Sequence, residues 1–350
     1  KLNVSGTPLQ QYQEAGSLFV NEMKNVVITF MAAQAVINGE MTFGMMLSSQ
    51  YIIGQLSASV NKFIGFLRDY QDAKISLERI SEINEIKSED DDVYIDKMKQ
   101  NQIERDQDLK IDSVSFQYSN YSSKVLDNIN ITIPYGKITV IVGASGSGKT
   151  TLLKLLLKFY QPTSGKISLG DIDLRHIKSN EWRRKCGVVM QDGFIFSETI
   201  MNNISLADEK IDFNRLKYAI KVANISEFAD SLSHKFQTKI GSTGTGLSQG
   251  QRQRLLIARA VYKEPEFLFF DEATSSLDAN NEKDIMENLN EFFKGRTVVV
   301  IAHRLSTVKN ADQIIVLDKG SVVETGNHEK LISEGSFYFK LVKNQLVFRS

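Results

Sequence analysis

The sequence predicts an α/β domain with a mixed core sheet, preceded by a pair of long helices. Three observations support this fold class. Residues 138–142 form a short β-branched run that is typical of a buried strand, and a glycine-rich loop and a leucine-rich helix follow it. Alternating apolar and polar residues at 109–118 and 125–133 predict an antiparallel hairpin beside this unit, which indicates an antiparallel β subdomain. Two long apolar stretches occur within the first 67 residues.

Composition narrows the possible classes of function. The 350 residues suffice for two or three domains. The 42 Lys and Arg residues balance 42 Asp and Glu residues, so no net charge indicates nucleic acid as a partner. A single cysteine, Cys186, excludes an internal disulfide framework, and the apolar residues after it predict a buried thiol. Because the chain begins with Lys1, we expect a fragment of a longer protein.

The N-terminal apolar region favours a membrane hairpin. Between Val26 and Val60 the only formal charge is Glu40, which lies in a turn-like segment. The turn separates predicted spans at about 18–38 and 43–65, each near the ~20 residues that a membrane helix needs. A soluble core hairpin is the alternative. Basic residues lie at the end of the second span and after it, whereas none lies in the turn, so the positive-inside rule predicts both ends in the cytoplasm. These basic residues are Lys62, Arg68, Lys74 and Arg79.

Domain boundaries follow from these patterns. Residues 1–84 are predicted to form a partial transmembrane domain whose second helix extends into the cytoplasm. The acidic segment 85–108 predicts a solvated linker. The α/β domain is expected over 109–350, with a helical subdomain at about 192–262.

The glycine-rich stretch 143–150 fits the phosphate-binding loop pattern G-x-x-x-x-G-K-[ST]. Glycines let backbone N–H groups approach phosphate oxygens, and the helix N-terminus adds a partial positive charge. Lys149 would contact the β- and γ-phosphates, and the Thr150 hydroxyl would ligate Mg²⁺. A bare turn would not need the Lys-Thr pair, so a P-loop NTPase is predicted. The loop consists of Gly143, Ala144, Ser145, Gly146, Ser147, Gly148, Lys149 and Thr150.

Polar residues end three of the predicted core strands, whose carboxyl ends share one edge of the sheet. Asp271 would hold Mg²⁺, and Glu272 would orient or deprotonate the attacking water. Gln191 could contact Mg²⁺ or that water, or be a surface turn residue. His303 could reach a γ-phosphate, although a structural role is the alternative.

Two further features concern nucleotide binding. Ser248 and Gly250 at the start of a predicted helix form a second anion site, which suggests that the two sites meet across a dimer. The ring of Tyr118 could stack on a purine or pack at a strand edge, and its spacing from the loop favours neither.

Residues 109–347 resemble the nucleotide-binding domain of an ABC transporter. The motifs occur in the order of the family: Tyr118 matches the A-loop aromatic that stacks on adenine, residues 143–150 the Walker A loop, Gln191 the Q-loop, residues 247–251 the LSGGQ signature, residues 270–272 Walker B with the catalytic glutamate, residues 276–278 the D-loop, and His303 the switch histidine.

The resemblance implies ATP and Mg²⁺ as cofactors and two such domains closing head to tail, most simply as a homodimer. The signature of one copy would then complete the phosphate loop of the other, and the presence of both Glu272 and His303 implies hydrolysis. Beyond the loop, the residues implied to contact nucleotide are Tyr118, Thr151, Ser248, Gln249, Gly250, Gln251 and Asp278.

Two departures from the family occur. Gln249 replaces a usual glycine of the signature, which affects its local geometry, and the loop 238–242 lacks both glutamates of the exporter motif it resembles. Residues 18–83 resemble the last two membrane helices of an exporter subunit, so about four helices are expected upstream.

The whole is most similar to bacterial peptide or bacteriocin exporters with an N-terminal cysteine-peptidase domain. This resemblance implies ATP-driven peptide export by a multi-pass inner-membrane protein whose nucleotide-binding domain is cytoplasmic. A lipid or drug exporter of the same architecture is one alternative. A soluble ABC-type ATPase of DNA repair or translation is the other.

Overall fold

The computed structural model describes residues 6–85, 89, 106–119, 121–206, 210–241, 244, 246–271, 279–302, 308–335 and 337–347. Contacts divide the chain into two units, Lys1–Ser88 and Glu89–Ser350.

The first unit is a helical hairpin of α1 (Gly6–Ile37) and α2 (Phe43–Glu85). Lys24 Nζ donates to Ser57 Oγ at 2.9 Å, and Gln50 Nε2 donates to Thr29 Oγ1 at 3.1 Å, so polar contacts join the two helices. The helices occupy both predicted apolar segments. In the part of the chain that the structure describes, no helix combines the length and the apolar character that a membrane crossing requires.

The second unit contains two sheets. Its strands are β1 (Leu109–Phe116), β2 (Leu126–Ile133), β3 (Ile138–Gly143), β4 (Ser164–Leu169), β5 (Ile172–Asp173), β6 (Cys186–Val189), β7 (Phe267–Asp271), β8 (Thr297–Ile301), β9 (Gln313–Asp318) and β10 (Ser321–Gly326).

The six-stranded sheet has the order β10-β9-β3-β8-β7-β6. Its pairs are parallel except for the antiparallel hairpin of β9 and β10, so the predicted mixed core sheet is confirmed. The phosphate-loop strand β3 lies between β8 and β9. Strands β7 and β8 are buried along their whole lengths, as parallel strands covered on both faces must be.

The four-stranded sheet is antiparallel, with the order β2-β1-β4-β5. The predicted hairpin of residues 109–118 and 125–133 is therefore confirmed. This sheet corresponds to the expected antiparallel β subdomain.

The helices of the second unit are α3 (Lys149–Leu156), α4 (Ser179–Lys185), α5 (Ile200–Ile204), α6 (Phe213–Val222), α7 (Ser226–Asp230), α8 (Gln249–Tyr262), α9 (Ala279–Phe293), α10 (His328–Ser333) and α11 (Phe337–Val347). Helices α5 to α8 lie in the segment that was expected to be the helical subdomain.

Helix α3 is held between the two sheets by an apolar core. Successive residues of β3 face opposite sides of their sheet. Ile141 belongs to the same core cluster as Leu152 and Leu156 of α3 and the buried face of the four-stranded sheet, whereas Val140 and Val142 belong to the cluster that includes α5, α6 and α8. Each fully buried leucine contributes about 1.5–3 kcal/mol to this packing. The core thus fixes where the phosphate loop ends and α3 begins.

Candidate nucleotide-binding site

The predicted phosphate loop connects β3 to α3. Gly146 (φ 78°) and Gly148 (φ 101°) both have left-handed backbone conformations, which glycine adopts without strain. A Cβ on Gly148 would lie 2.6 Å from Leu126 Cδ2, whereas a Cβ on Gly146 would meet no atom within 4 Å. Gly320 N in the β9–β10 turn donates to Ser147 O at 3.2 Å. The loop therefore packs against Leu126 at Gly148 and has free space beside Gly146.

Lys149 lies inside the curve of the loop. Its ammonium group donates to Gly143 O at 3.0 Å and to Ala144 O at 2.8 Å, and the residue is 7% exposed. The ammonium group of Lys149 is thus held beside the backbone of the loop.

Thr150 and Asp271 are in direct contact, although they are distant in sequence. Thr150 Oγ1 donates to Asp271 Oδ2 at 3.0 Å, and Asp271 is 3% exposed. The contact forms because β7 ends beside β8, which in turn pairs with β3. A hydroxyl and a carboxylate are the oxygen ligands that Mg²⁺ prefers. The two side chains predicted to ligate the metal are therefore together at the carboxyl edge of the sheet.

A cavity of about 280 Å³ opens over the loop. Gln191 follows β6 in an exposed turn and reaches this cavity. The lining residues are Val125, Ser145, Gly146, Gly148, Lys149, Thr150, Thr151 and Gln191.

The loop fits a phosphate chain. Ser147 Oγ is buried and has no hydrogen-bond partner among the described residues. An orphaned buried hydroxyl costs about 1–3 kcal/mol unless a ligand or water pairs with it. Ser147 is not among the residues that line the cavity, so the fit rests on the open side of Gly146 and the nearby ammonium group of Lys149, which supply the space and the positive charge that a triphosphate requires.

Tyr118 packs at the end of β1 and also contacts the first turn of α3. Its ring makes edge-to-face contact with Phe116 at 5.0 Å and with Tyr160 at 5.3 Å, yet 50% of the residue is exposed. Tyr118 Oη and Thr151 Oγ1 are 3.0 Å apart. Strand-edge packing and an exposed stacking surface, which the sequence left as alternatives, thus coexist.

The signature segment begins α8 with a capping box. Ser248 Oγ accepts from Gln251 N at 3.2 Å, and Ser248 N donates to Gln251 Oε1 at 2.9 Å. Gln249 is exposed at the first helical position, so its side chain fits without displacing the cap. The cavity lining includes no residue of 247–251, so the structure does not bring the two predicted anion sites together within one chain.

Three predicted site residues, Glu272, Asp278 and His303, lie outside the described residues. Their roles, and the D-loop assignment of residues 276–278, stay predictions.

Sequence reasoning missed Arg259 of α8. Its guanidinium donates to Asn203 O at 2.8 Å, Asn203 Oδ1 at 3.1 Å and Phe194 O at 2.9 Å. Burial lowers the pKa of Arg259 to about 10. Arg259 ties the segment after Gln191 to the helix that begins at the signature. The available signal was its position three and four residues after Leu256 and Leu255, on the apolar face of α8.

Cys186 has no place in this site. The residue is buried, its thiol donates to Trp182 O at 3.2 Å, and burial raises the pKa of the thiol well above its usual range. The prediction of a buried thiol is confirmed.

The strand order, the phosphate loop and the buried Asp271 are those of an α/β nucleotide-binding domain. Residues 126–275 match the family described as ABC transporter, so the second unit contains an ABC transporter domain. Over 328 residues the chain is 39% identical to the alpha-hemolysin translocation ATP-binding protein HlyB of Escherichia coli, covering 94% of this chain and 46% of that protein.

Two further proteins support the exporter resemblance. Identity to the toxin RTX-I translocation ATP-binding protein of Actinobacillus pleuropneumoniae is 38% over 328 residues, with the same 94% and 46% coverage. A bacterial Atm1-family ABC exporter with ATP bound superposes with a TM-score of 0.76 at 29% identity, covering 92% of this chain and 56% of that chain.

The chain spans about half the length of the curated relatives it matches. The resemblance to ABC exporters is confirmed, whereas the upstream cysteine-peptidase domain stays a prediction.

Proposed function

We propose that this chain supplies the ATP-hydrolysing part of a membrane exporter for a secreted polypeptide. The contact between Thr150 and Asp271 beneath an open phosphate loop carries the ATPase part of the proposal. The exporter part is supported by the relatives, which are named for the translocation of hemolysin and RTX toxin.

The residues of the site have complementary roles in this proposal. Bound Mg²⁺–ATP supplies a γ-phosphoryl group that water attacks in line. Thr150 and Asp271 would hold the metal ion, and Lys149 would exchange the carbonyls of Gly143 and Ala144 for phosphate oxygens. Backbone N–H groups of the loop would stabilise the developing negative charge.

Four predicted side chains would complete catalysis and nucleotide binding. Glu272 would orient the water and accept its proton, and His303 would donate toward the γ-phosphate. Gln191, exposed at the rim of the cavity, would contact the metal or the water. Tyr118 would stack on the adenine.

A second copy of the chain completes the site in this proposal. Ser248 is exposed at the N-terminus of α8, which carries partial positive charge, and residues 247–251 are not among the described residues that line the cavity of their own chain. We infer that Ser248, Gln249, Gly250 and Gln251 of a partner close over the phosphate loop, with Asp278 at the interface.

A membrane location is supported by the first unit. Large apolar side chains are exposed along α1 and α2; Phe19, Phe30, Tyr51, Ile52 and Phe63 are examples. Contact with lipid or with further helices would remove this surface from water. We propose the inner membrane, with several spans in the whole protein and the second unit in the cytoplasm.

ATP hydrolysis by the full-length protein tests the catalytic proposal. Glu272→Gln should preserve ATP binding and abolish turnover, because the amide cannot accept a proton. Lys149→Ala is the matched control and should lose ATP binding, since it removes the loop cation. Hydrolysis by Glu272→Gln at a rate near that of the wild type contradicts the role given to Glu272.

Fractionation tests the location. The full-length protein should require detergent for extraction, and release by salt or alkaline wash contradicts the exporter proposal.

Secretion of a polypeptide from cells should stop with Glu272→Gln. Continued secretion, with efflux of a lipid or drug lost instead, would favour the other exporter class.

A further inference from the structure

Tyr118 belongs to an aromatic cluster with Phe116 and Tyr160. Both neighbours meet its ring edge to face, and the Phe116 and Tyr160 rings lie 5.5 Å apart. Phe116 is 4% exposed and anchors the cluster in the core, while Tyr160 is 41% exposed. Tyr118 is therefore supported by two rings and keeps an open surface.

A C-terminal turn of α3 sets the position of Tyr160. Lys158 has a left-handed conformation (φ 56°), Lys158 N donates to Leu155 O at 2.9 Å, and Phe159 N donates to Lys154 O at 2.9 Å. This pattern is a Schellman motif, which reverses the chain after a helix. The helix that starts at the phosphate loop thus ends by directing Tyr160 toward β1.

Hydrogen bonds hold the returning chain beside β1. Thr163 N donates to Ser115 O at 2.9 Å, and Gln117 N donates to Thr163 Oγ1 at 3.3 Å. These bonds flank Phe116 and precede Tyr118 directly. The separation of the Tyr118 and Tyr160 rings is therefore fixed by the backbone as well as by ring contacts.

A third contact connects Tyr118 to the first turn of α3, directly after the phosphate loop. Its hydroxyl lies 3.0 Å from that of Thr151, which lines the cavity beside Lys149 and Thr150. The ring is thereby restrained at its hydroxyl and by two perpendicular ring contacts.

We propose that Tyr160 and Thr151 are positioning residues that orient the Tyr118 ring for stacking on the nucleotide base. The proposal rests on the proposed ATP-binding function and extends it. Tyr160 supports the ring from the end of α3, and Thr151 holds its hydroxyl at a fixed distance from the phosphate loop. Because the ring is already ordered in the free protein, nucleotide binding loses less side-chain entropy.

Binding of ATP and of inorganic tripolyphosphate to the full-length protein tests this inference by calorimetry. Tripolyphosphate engages the loop but has no base to stack. Tyr160→Leu should weaken ATP binding about two- to tenfold, the usual range for loss of one aromatic pair. Tripolyphosphate binding should stay within about twofold of the wild type. Tyr160→Phe keeps the ring and should bind both ligands as the wild type does.

The hydroxyl contact is tested with Tyr118→Phe, Thr151→Val and the double variant. Tyr118→Phe should weaken ATP binding and leave tripolyphosphate binding unchanged. In the double variant, Tyr118→Phe should cause no further loss beyond that of Thr151→Val, because the bond is already absent. Thr151→Ser keeps the hydroxyl and should bind ATP as the wild type does, unlike Thr151→Val.

Several outcomes overturn the inference. Unchanged ATP affinity in Tyr160→Leu refutes it, as does an equal loss of ATP and tripolyphosphate affinity, which indicates a structural defect. Additive losses in the double variant refute the hydroxyl contact. Failure of the wild type to bind ATP overturns the proposed function itself, and the inference with it.

Discussion

Gly148→Ala should destabilise the second unit by about 2–5 kcal/mol. The left-handed backbone conformation (φ 101°) costs a residue with a Cβ about 1–2 kcal/mol. The new Cβ would lie 2.6 Å from Leu126 Cδ2 and 3.1 Å from Val125 O. Leu126 is fully buried and cannot withdraw without moving its neighbours, so overpacking adds about 1–3 kcal/mol.

Gly146→Ala is the matched control. Gly146 has a similar conformation (φ 78°), but its Cβ would point into open space. Only the conformational cost of about 1–2 kcal/mol should appear. Because that open space faces the proposed phosphate position, Gly146→Ala should still lose ATP affinity. The two variants therefore separate loop stability from ligand access.

Urea unfolding followed by tryptophan fluorescence measures the difference. The chain has one tryptophan, Trp182, which is fully buried in the second unit. Its indole N–H donates to Leu156 O at 2.7 Å at the end of α3, so its emission reports on the helix that the loop begins. Equal destabilisation by the two variants, or normal ATP binding by Gly146→Ala, would refute the reasoning.

Three further predictions concern stability. Arg259→Met should lower the free energy of unfolding by about 2–4 kcal/mol, because it leaves the buried Asn203 carbonyl without its charged donor. Arg252→Met, on the exposed side of α8, is the control and should lower it by under about 0.5 kcal/mol in the same urea assay. Ser248→Ala should lose about 0.5–2 kcal/mol with its N-cap, measured by thermal unfolding. Burial raises the pKa of Tyr338 from 10.0 to about 12, so the tyrosine is a stronger acid in the unfolded chain and the free energy of unfolding falls as the pH rises from 10.0 to about 12. Tyr338→Phe should abolish this part of the fall, and identical pH profiles for the variant and the wild type would contradict the prediction.

Much of the second unit was predictable because its strands have distinct local patterns. The β-branched run of β3 and the apolar run of β7 specify buried strands; β3 ends at Gly143, where the phosphate loop begins, and β7 ends in Asp271 at the same sheet edge. Alternation in β1 and β2 specified a sheet with one buried face. Local chemistry alone therefore predicts both sheets.

The contacts that organise the site were not predictable, because they depend on the tertiary arrangement. Nothing in the sequence shows that the Thr151 hydroxyl meets the Tyr118 hydroxyl, since that distance depends on how the hairpin packs over α3. Arg259 similarly looks like a surface cation until Asn203 is folded against it. The open side of Gly146 and the crowded side of Gly148 also depend on where Leu126 lies.

The position of β3 between β8 and β9 has a consequence for biosynthesis. Both neighbours of the phosphate-loop strand, and the Gly320 amide that supports the loop, are encoded after residue 296. While the ribosome is still making the middle of the chain, both edges of β3 are unpaired and the loop lacks the hydrogen bond from the Gly320 amide. Incomplete chains should thus be prone to aggregation and unable to capture ATP, so nucleotide binding begins only when translation of this unit is nearly finished.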